Sequence, residues 1–206
     1  MAAIIFDMDG TIADSFDYVL GFLLKQGKLP PLNERDKDKL RNLSMVGMAH
    51  HLGFRRWQLL FLFFKGRRLM SRSIEKVQPF EGTPEIIRKL QAEGHELFII
   101  SSNNSRNVNH FLRHHKLYQY FTKVYGGVGW FGKAPALRRL LREQSVDVKD
   151  AVYIGDELRD VEAAKSVGMR VVAVSWGFAN RSNLQALKPT AVVDNREELM
   201  KILEEI

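Results

Sequence analysis

Asp7 and Asp9 stand two positions apart in FDMDGT, directly after the apolar run Ala2 to Phe6. In an extended stretch such residues project to one side, so both carboxylates can address a single ligand while Gly10 lets the backbone turn closely beneath it. Further along, Ser101, Ser102 and Asn103 end a second apolar run, and hydroxyls with exposed amides at a helix start suit a phosphate. Lys133 opens a helical stretch after a glycine-rich turn, and Gly155-Asp156-Glu157 with Asp160 follows Ala151 to Ile154. Each group alone is commonplace: paired surface aspartates, a capping turn, a solvated lysine, an aspartate that caps its helix. In combination they are specific, because all four come in order, each at a strand end or just ahead of a helix. Ligands of a doubly wound sheet gather at the carboxyl ends of its strands.

The elements that must position these groups can be read from pattern. Ala2 to Phe6, Leu97 to Ile100, Lys123 to Tyr125, Ala151 to Ile154, Arg170 to Val174 and Ala191 to Val193 read as short strands. Between them, helices are expected over Thr83 to Ala92 with Thr83 as N-cap, from the SSNNS turn to about His115, over Ala134 to Glu143, over Leu158 to Val167 closed by Gly168, and over Glu197 to Glu205. Strand and helix alternation predicts an α/β fold: a doubly wound, mainly parallel sheet with a Rossmann-like core. That core is discontinuous, built from residues 1–15 and 79–206. The insert, residues 16–78, reads as a small helical domain with helices over Phe16 to Leu24, Glu34 to Leu52 and Phe54 to Met70, the last weakened by Gly66.

Composition narrows the class. An apolar fraction of 45% is that of a globular chain, and the absence of cysteine excludes disulfides and Cys-ligated zinc. The N-terminus lacks the basic start and long apolar run of a secretory leader, and Leu59 to Phe64 is too short to span a bilayer, so a cytoplasmic location is expected. Net charge is +7, but the insert alone carries thirteen basic and five acidic residues, a net of +8. Its basic character suggests an anionic partner or substrate for that segment, or simply a solvated face.

On these residues the chain resembles the haloacid dehalogenase-like hydrolases, in particular the phosphoglycolate-phosphatase-like branch. FDMDGTIADS resembles the family's first motif, FIISSNN the second, Lys133 the third and GDELRD the fourth, and the insert occupies the place of the helical cap. Many relatives have proline directly after the third-motif lysine; here Ala134 intervenes before Pro135. The resemblance implies an Mg²⁺-dependent phosphatase acting on a small-molecule phosphomonoester through a phosphoaspartate on Asp7, with Asp9 as general acid and base. It implies metal ligation by Asp7, the Asp9 backbone carbonyl and Asp156, with Asp160 ordering metal-bound water from behind them. Ser101 and Lys133 would hold the transferring phosphoryl group, and Gly10, Thr11, Ser102 and Asn103 would line its site; strand register favours Ser101 over Ser102.

An acid at position 9 disfavours carbon–halogen hydrolysis, since a halide leaving group needs no proton. A phosphosugar mutase shares all four motifs, and a binding protein on this scaffold would be expected to lack the nucleophile or the lysine. Within the insert, Trp57, Leu60, Phe61 and Phe64 share one helical face, with Leu59, Leu62 and Phe63 filling much of the other. Burial by the neighbouring helices is the first expectation; a dimer contact or a basic apolar surface on anionic lipid are the alternatives, and the chain is expected to be a monomer or homodimer. Nucleic acid is disfavoured because the aromatics read as packed rather than displayed. Arg55, Arg56, Arg67 and Arg68 are the candidate cations for a second anionic group on the substrate.

Overall fold

The computed structural model describes residues 1–41, 43, 45–128 and 132–205; at residues 45, 56, 63, 64, 67 and 69–73 only the backbone is described. Six strands, β1 (Ala3–Phe6), β2 (Glu96–Ser101), β3 (Lys123–Gly126), β4 (Ala151–Gly155), β5 (Arg170–Val174) and β6 (Ala191–Val193), form one sheet in the order β3-β2-β1-β4-β5-β6. Every pairing is parallel, with Phe6 beside Ile99 on one side and Ile154 on the other. Parallel strands covered on both faces read as continuous apolar runs, which is why AIIF, LFII and AVYI carry no polar alternation.

Alternate residues of these strands feed two cores. Ile4 and Phe6 pack with Ile86, Ile87, Leu90, Phe111 and Leu199, from α5 (Thr83–Ala92), α6 (Ser105–His114) and α10 (Arg196–Glu204). Ala3 and Ile5 face the other way, onto Leu137, Leu140, Val161, Ala164 and Leu184, from α7 (Ala134–Glu143), α8 (Leu158–Val167) and α9 (Arg181–Ala186). The strand order reverses at β1: the chain first builds outward through β2 and β3, then returns to the other side of β1 with β4. In such sheets the crevice at the reversal is where ligands bind.

Between β1 and β2 the chain forms α1 (Phe16–Gly27), α2 (Glu34–Arg41), α3 (Met45–His51) and α4 (Arg56–Ser73). They enclose an apolar cluster of Phe16, Leu20, Leu23, Leu40, Met48, Phe54, Leu59 and Leu62, which Phe178 joins from the loop after β5. Four expectations change here. The single helix over Glu34 to Leu52 is two, α2 and α3. Thr83 is the first helical residue, and Gly82 caps the helix at φ 77°, a conformation that threonine resists. Gly66 leaves α4 unbroken and lies where an added Cβ would come within 3.2 Å of the Phe22 ring, so it allows helix contact. Finally, α4 divides: Leu59 and Leu62 point inward, whereas Trp57, Leu60 and Phe61 stand exposed, with Phe63 and Phe64 outside the described side chains. The short α9 escaped the sequence reading, because only Leu184 gives it a buried apolar position.

Gly126 ends β3 against the first turn of α6. A Cβ there would sit 2.5 Å from the Ser105 backbone nitrogen, a clash that no rotamer relieves. Gly126→Ala is therefore expected to destabilise the fold by about 1–3 kcal/mol, measured as a lower urea midpoint at unchanged m-value.

Candidate active site

Asp7 is the first residue beyond β1, and its backbone N–H still donates to the Ile154 carbonyl at 2.8 Å, so the strand delivers its side chain into the crevice beside β4. The chain then folds tightly: Ile12 and Ala13 both donate to the Met8 carbonyl at 2.9 Å. Gly10, at φ 86°, lies where a Cβ would run into the Asp156 carboxylate and the Phe178 ring. Its need is thus double, a left-handed backbone and room for a neighbouring acid. The Thr11 hydroxyl donates to Asp156 Oδ1 at 2.7 Å, and the Phe178 N–H donates to Asp156 Oδ2 at 2.8 Å. Thr11, read from sequence as a phosphate contact, is committed to orienting Asp156.

Lys133, immediately before α7, reaches the centre of this constellation. Its Nζ lies 2.6 Å from Asp7 Oδ2 and 2.6 Å from Asp160 Oδ1, with all three side chains almost wholly buried. Asp160 Oδ2 accepts from the Glu157 N–H at 3.1 Å, which closes the first turn of α8 and fixes the carboxylate. Carboxylate oxygens of Asp7, Asp156 and Asp160 all lie within 4.8 Å of one another. Asp160 therefore sits in the carboxylate cluster together with Asp156, its two oxygens taken by Lys133 and the Glu157 N–H.

The electrostatics follow from burial. Desolvation pushes the Asp7 carboxyl up to about 7, against the pull of Lys133 and with added repulsion from Asp160. Burial, then the negative charges of Asp7, Asp160 and Glu157, push Asp156 well above the usual carboxylate range. For Lys133 burial works against the charged form, but Asp160 and Asp7 outweigh it and hold the ammonium above its ordinary value. Three carboxyls crowded around one buried ammonium cannot all ionise cheaply, and hard oxygen donors in that arrangement could hold a divalent cation whose charge would relieve them.

Asp9 stands outside that cluster. Its Oδ2 accepts from Asn103 Nδ2 at 3.2 Å, and burial raises its carboxyl despite that bond. Asn103 is itself fixed: its N–H donates to Ser101 Oγ at 3.0 Å, and its Oδ1 accepts from Asn107 Nδ2 at 2.9 Å. The two serines separate, Ser101 buried with its hydroxyl turned to Asn103, Ser102 half-exposed with its Oγ 3.4 Å from Arg159 Nη2. Residues 129–131 of the turn before Lys133 lie outside the described residues.

Sequence reading missed three contributors. Asn107 orients Asn103 from one turn into α6. The Arg159 guanidinium grips Glu157 through Nε and Nη2, each at 2.8 Å, and its charge works slightly against the burial that raises Asp7 and Asp9. Its position inside GDELRD was the available signal, obscured by attention to the acids. The third is the loop Trp176-Gly177-Phe178: Trp176 Nε1 donates to the Thr11 carbonyl at 3.2 Å, and a Cβ on Gly177 would strike Asp156.

Comparison with known proteins agrees with this geometry. The family model for haloacid dehalogenase-like hydrolases matches residues 4–174. The chain is 32% identical to a phosphoglycolate phosphatase of Synechococcus elongatus, over all of this chain and 99% of that one. It is 25% identical to a 5'-nucleotidase of Pseudomonas aeruginosa, covering 98% of this chain and 95% of that one. A solved haloacid dehalogenase-like hydrolase of Streptococcus pneumoniae superposes with a TM-score of 0.80 at 19% identity, covering 98% of each chain, which speaks for the fold. The four motifs, the sheet that carries them and these relatives together establish that the chain belongs to the haloacid dehalogenase-like hydrolases, in their phosphoglycolate-phosphatase-like branch, and is a phosphoric monoester hydrolase.

Proposed function

We propose that the protein is an Mg²⁺-dependent phosphatase that hydrolyses a small-molecule phosphomonoester through a phosphoaspartate on Asp7. The observation that carries this reading is the division of labour among the carboxylates. Asp7 sits in a buried cluster with Asp156, Asp160 and Lys133, whereas Asp9 is held apart by Asn103. Asp7, the Asp9 backbone carbonyl and Asp156 would hold Mg²⁺, with Asp160, tied to Lys133, in support; when bound the ion would neutralise negative charge on the cluster and on the phosphate ester.

Lys133 pulls the Asp7 carboxyl down against the burial that raises it, aims it, and would offer its charge to the phosphoryl oxygens. The buried Ser101 hydroxyl supplies a further donor at the end of β2. Asp7 attacks phosphorus, and the bond to the leaving oxygen breaks as Asp9 protonates that oxygen. Water, deprotonated by the same Asp9, then hydrolyses the acyl phosphate. Burial raises the Asp9 carboxyl toward the range where one group can both give and take a proton. The helices of residues 16–78 act as a cap that excludes water and selects substrate; the Phe16 and Phe178 rings, 5.6 Å apart, link them to the loop that grips Asp156. Phosphoglycolate is the first ester to assay, given the Synechococcus relative.

Asp7→Asn is expected to retain the fold and lose phosphate release by more than about 10³-fold; wild-type-like turnover in that variant would remove Asp7 as the nucleophile. Asp9→Asn is expected to lose about 10²–10⁴-fold on alkyl phosphates and much less on nitrophenyl phosphate, whose leaving group needs no proton; equal losses on both would displace Asp9 as the acid. Treatment with EDTA is expected to abolish release of phosphate and added Mg²⁺ to restore it, with full activity in metal-free protein as the contrary result.

A further inference from the structure

Helix α4 is apolar on two sides, and only one of them is used inside the protein. Leu59 and Leu62 belong to the cluster enclosed by the inserted helices. On the opposite face Trp57, Leu60 and Phe61, at helical positions i, i+3 and i+4, are 71%, 56% and 61% exposed. Scattered exposed apolar residues are ordinary; three large neighbours on one helix face are not.

The charge around that face is one-sided. Across its eighteen residues α4 contains no aspartate or glutamate, while Arg56, Lys65, Arg67, Arg68 and Arg72 lie within it and Arg55 caps it. Of the acids elsewhere in the insert, Asp17 and Glu34 pair with Lys37, Asp36 with Lys39 and Glu75 with His110. Among the described residues, no ion pair engages the exposed Arg55, Lys65 or Arg68. Lys65 donates to the neutral Gln26 amide oxygen and lies 5.3 Å over the Phe61 ring. Among the described residues, Arg55, Lys65 and Arg68 thus stand without an acidic partner on or beside the helix that displays the aromatics. The expectation that these rings are packed away is corrected here for Trp57 and Phe61.

We propose that this face of α4 docks on an anionic lipid bilayer, lying in the headgroup plane with Trp57, Leu60 and Phe61 inserted and the basic side chains on the phosphates. Tryptophan, phenylalanine and leucine framed by lysine and arginine are the composition of a helix that rests in the interface. No helix of the described residues is long and apolar enough to cross a membrane, so the contact is peripheral. A second copy of the chain is a poor occupant, since it would press two acid-free basic helices together. The contact holds by two weak components, apolar insertion and headgroup attraction, so it is reversible and sensitive to ionic strength.

Cosedimentation of the full chain with vesicles of pure phosphatidylcholine and of phosphatidylcholine with about a third phosphatidylserine tests this. At low salt the bound fraction is expected to be at least tenfold higher on the anionic vesicles and to fall as NaCl approaches 1 M. Two exposed-face variants, Trp57→Gln/Leu60→Gln/Phe61→Gln and Arg55→Gln/Lys65→Gln/Arg68→Gln, are each expected to reduce binding by tenfold or more while keeping the wild-type circular dichroism spectrum. Equal binding to both vesicle types, or unchanged binding in the folded variants, overturns the proposal. So does a dimer in analytical ultracentrifugation that the apolar variant alone dissociates, because a second copy then covers the face. Binding to single-stranded RNA tighter than to anionic vesicles overturns it as well.

Discussion

The ion pairs of Lys133 with Asp7 and Asp160 are the constraint around which the core is arranged. An ammonium and carboxylates withdrawn from water each forfeit several kcal/mol of hydration, and removing one partner of such a pair typically costs about 3–5 kcal/mol. The arrangement is tolerable because every member is held by a second group. Met8 N–H meets Asp7 at 2.7 Å, Glu157 N–H meets Asp160 at 3.1 Å, and the Tyr153 ring lies beneath the ammonium, 5.6 Å from Nζ. The crowding that raises the Asp7 and Asp156 carboxyls is what a bound divalent cation would relieve.

Strand topology makes that meeting possible. Asp7, Ser101 and Asp156 lie nearly 150 positions apart at the extremes, yet the parallel register of β2, β1 and β4 brings their strand ends side by side. Each strand is buried on both faces, so it cannot slide without moving apolar side chains into the wrong core. Rigidity in Ile4, Ile5, Phe6, Ile99 and Ile154 is thus transmitted to polar groups one or two residues further along. The loop after β5 completes the frame, holding Asp156 from the side opposite Thr11 while its Phe178 ring enters the cluster of the inserted helices. Substrate selection by the cap and orientation of the acid that serves the cation would share this one loop.

The insert contributes a different kind of surface. Its inward residues close a small core, whereas the outer side of α4 presents rings and cations together. The buried carboxylates at the sheet's strand ends and the exposed outer face of α4 lie on different parts of the chain.

From the sequence alone came the strands, most helices, and the residues Asp7, Asp9, Ser101, Lys133, Asp156 and Asp160. Those signals are local: apolar runs buried on both faces, caps, and acids placed at strand ends. The division of Glu34 to Leu52 into two helices, the Gly82 cap and the contact at Gly66 depended on backbone angles and neighbours that periodicity does not encode. Likewise, the pairing of Asp160 with Lys133, the Thr11 hydroxyl on Asp156 and the Asn103 N–H on Ser101 were decided by tertiary structure. So were the roles of Asn107, Arg159 and Phe178. A one-dimensional pattern states which side chains are polar at a strand end, but which atoms share a proton or a charge depends on distances of a few ångströms between segments remote in the chain. The two-faced α4 shows the same limit: its hydrophobicity was legible, and which half of it the fold would leave uncovered was not.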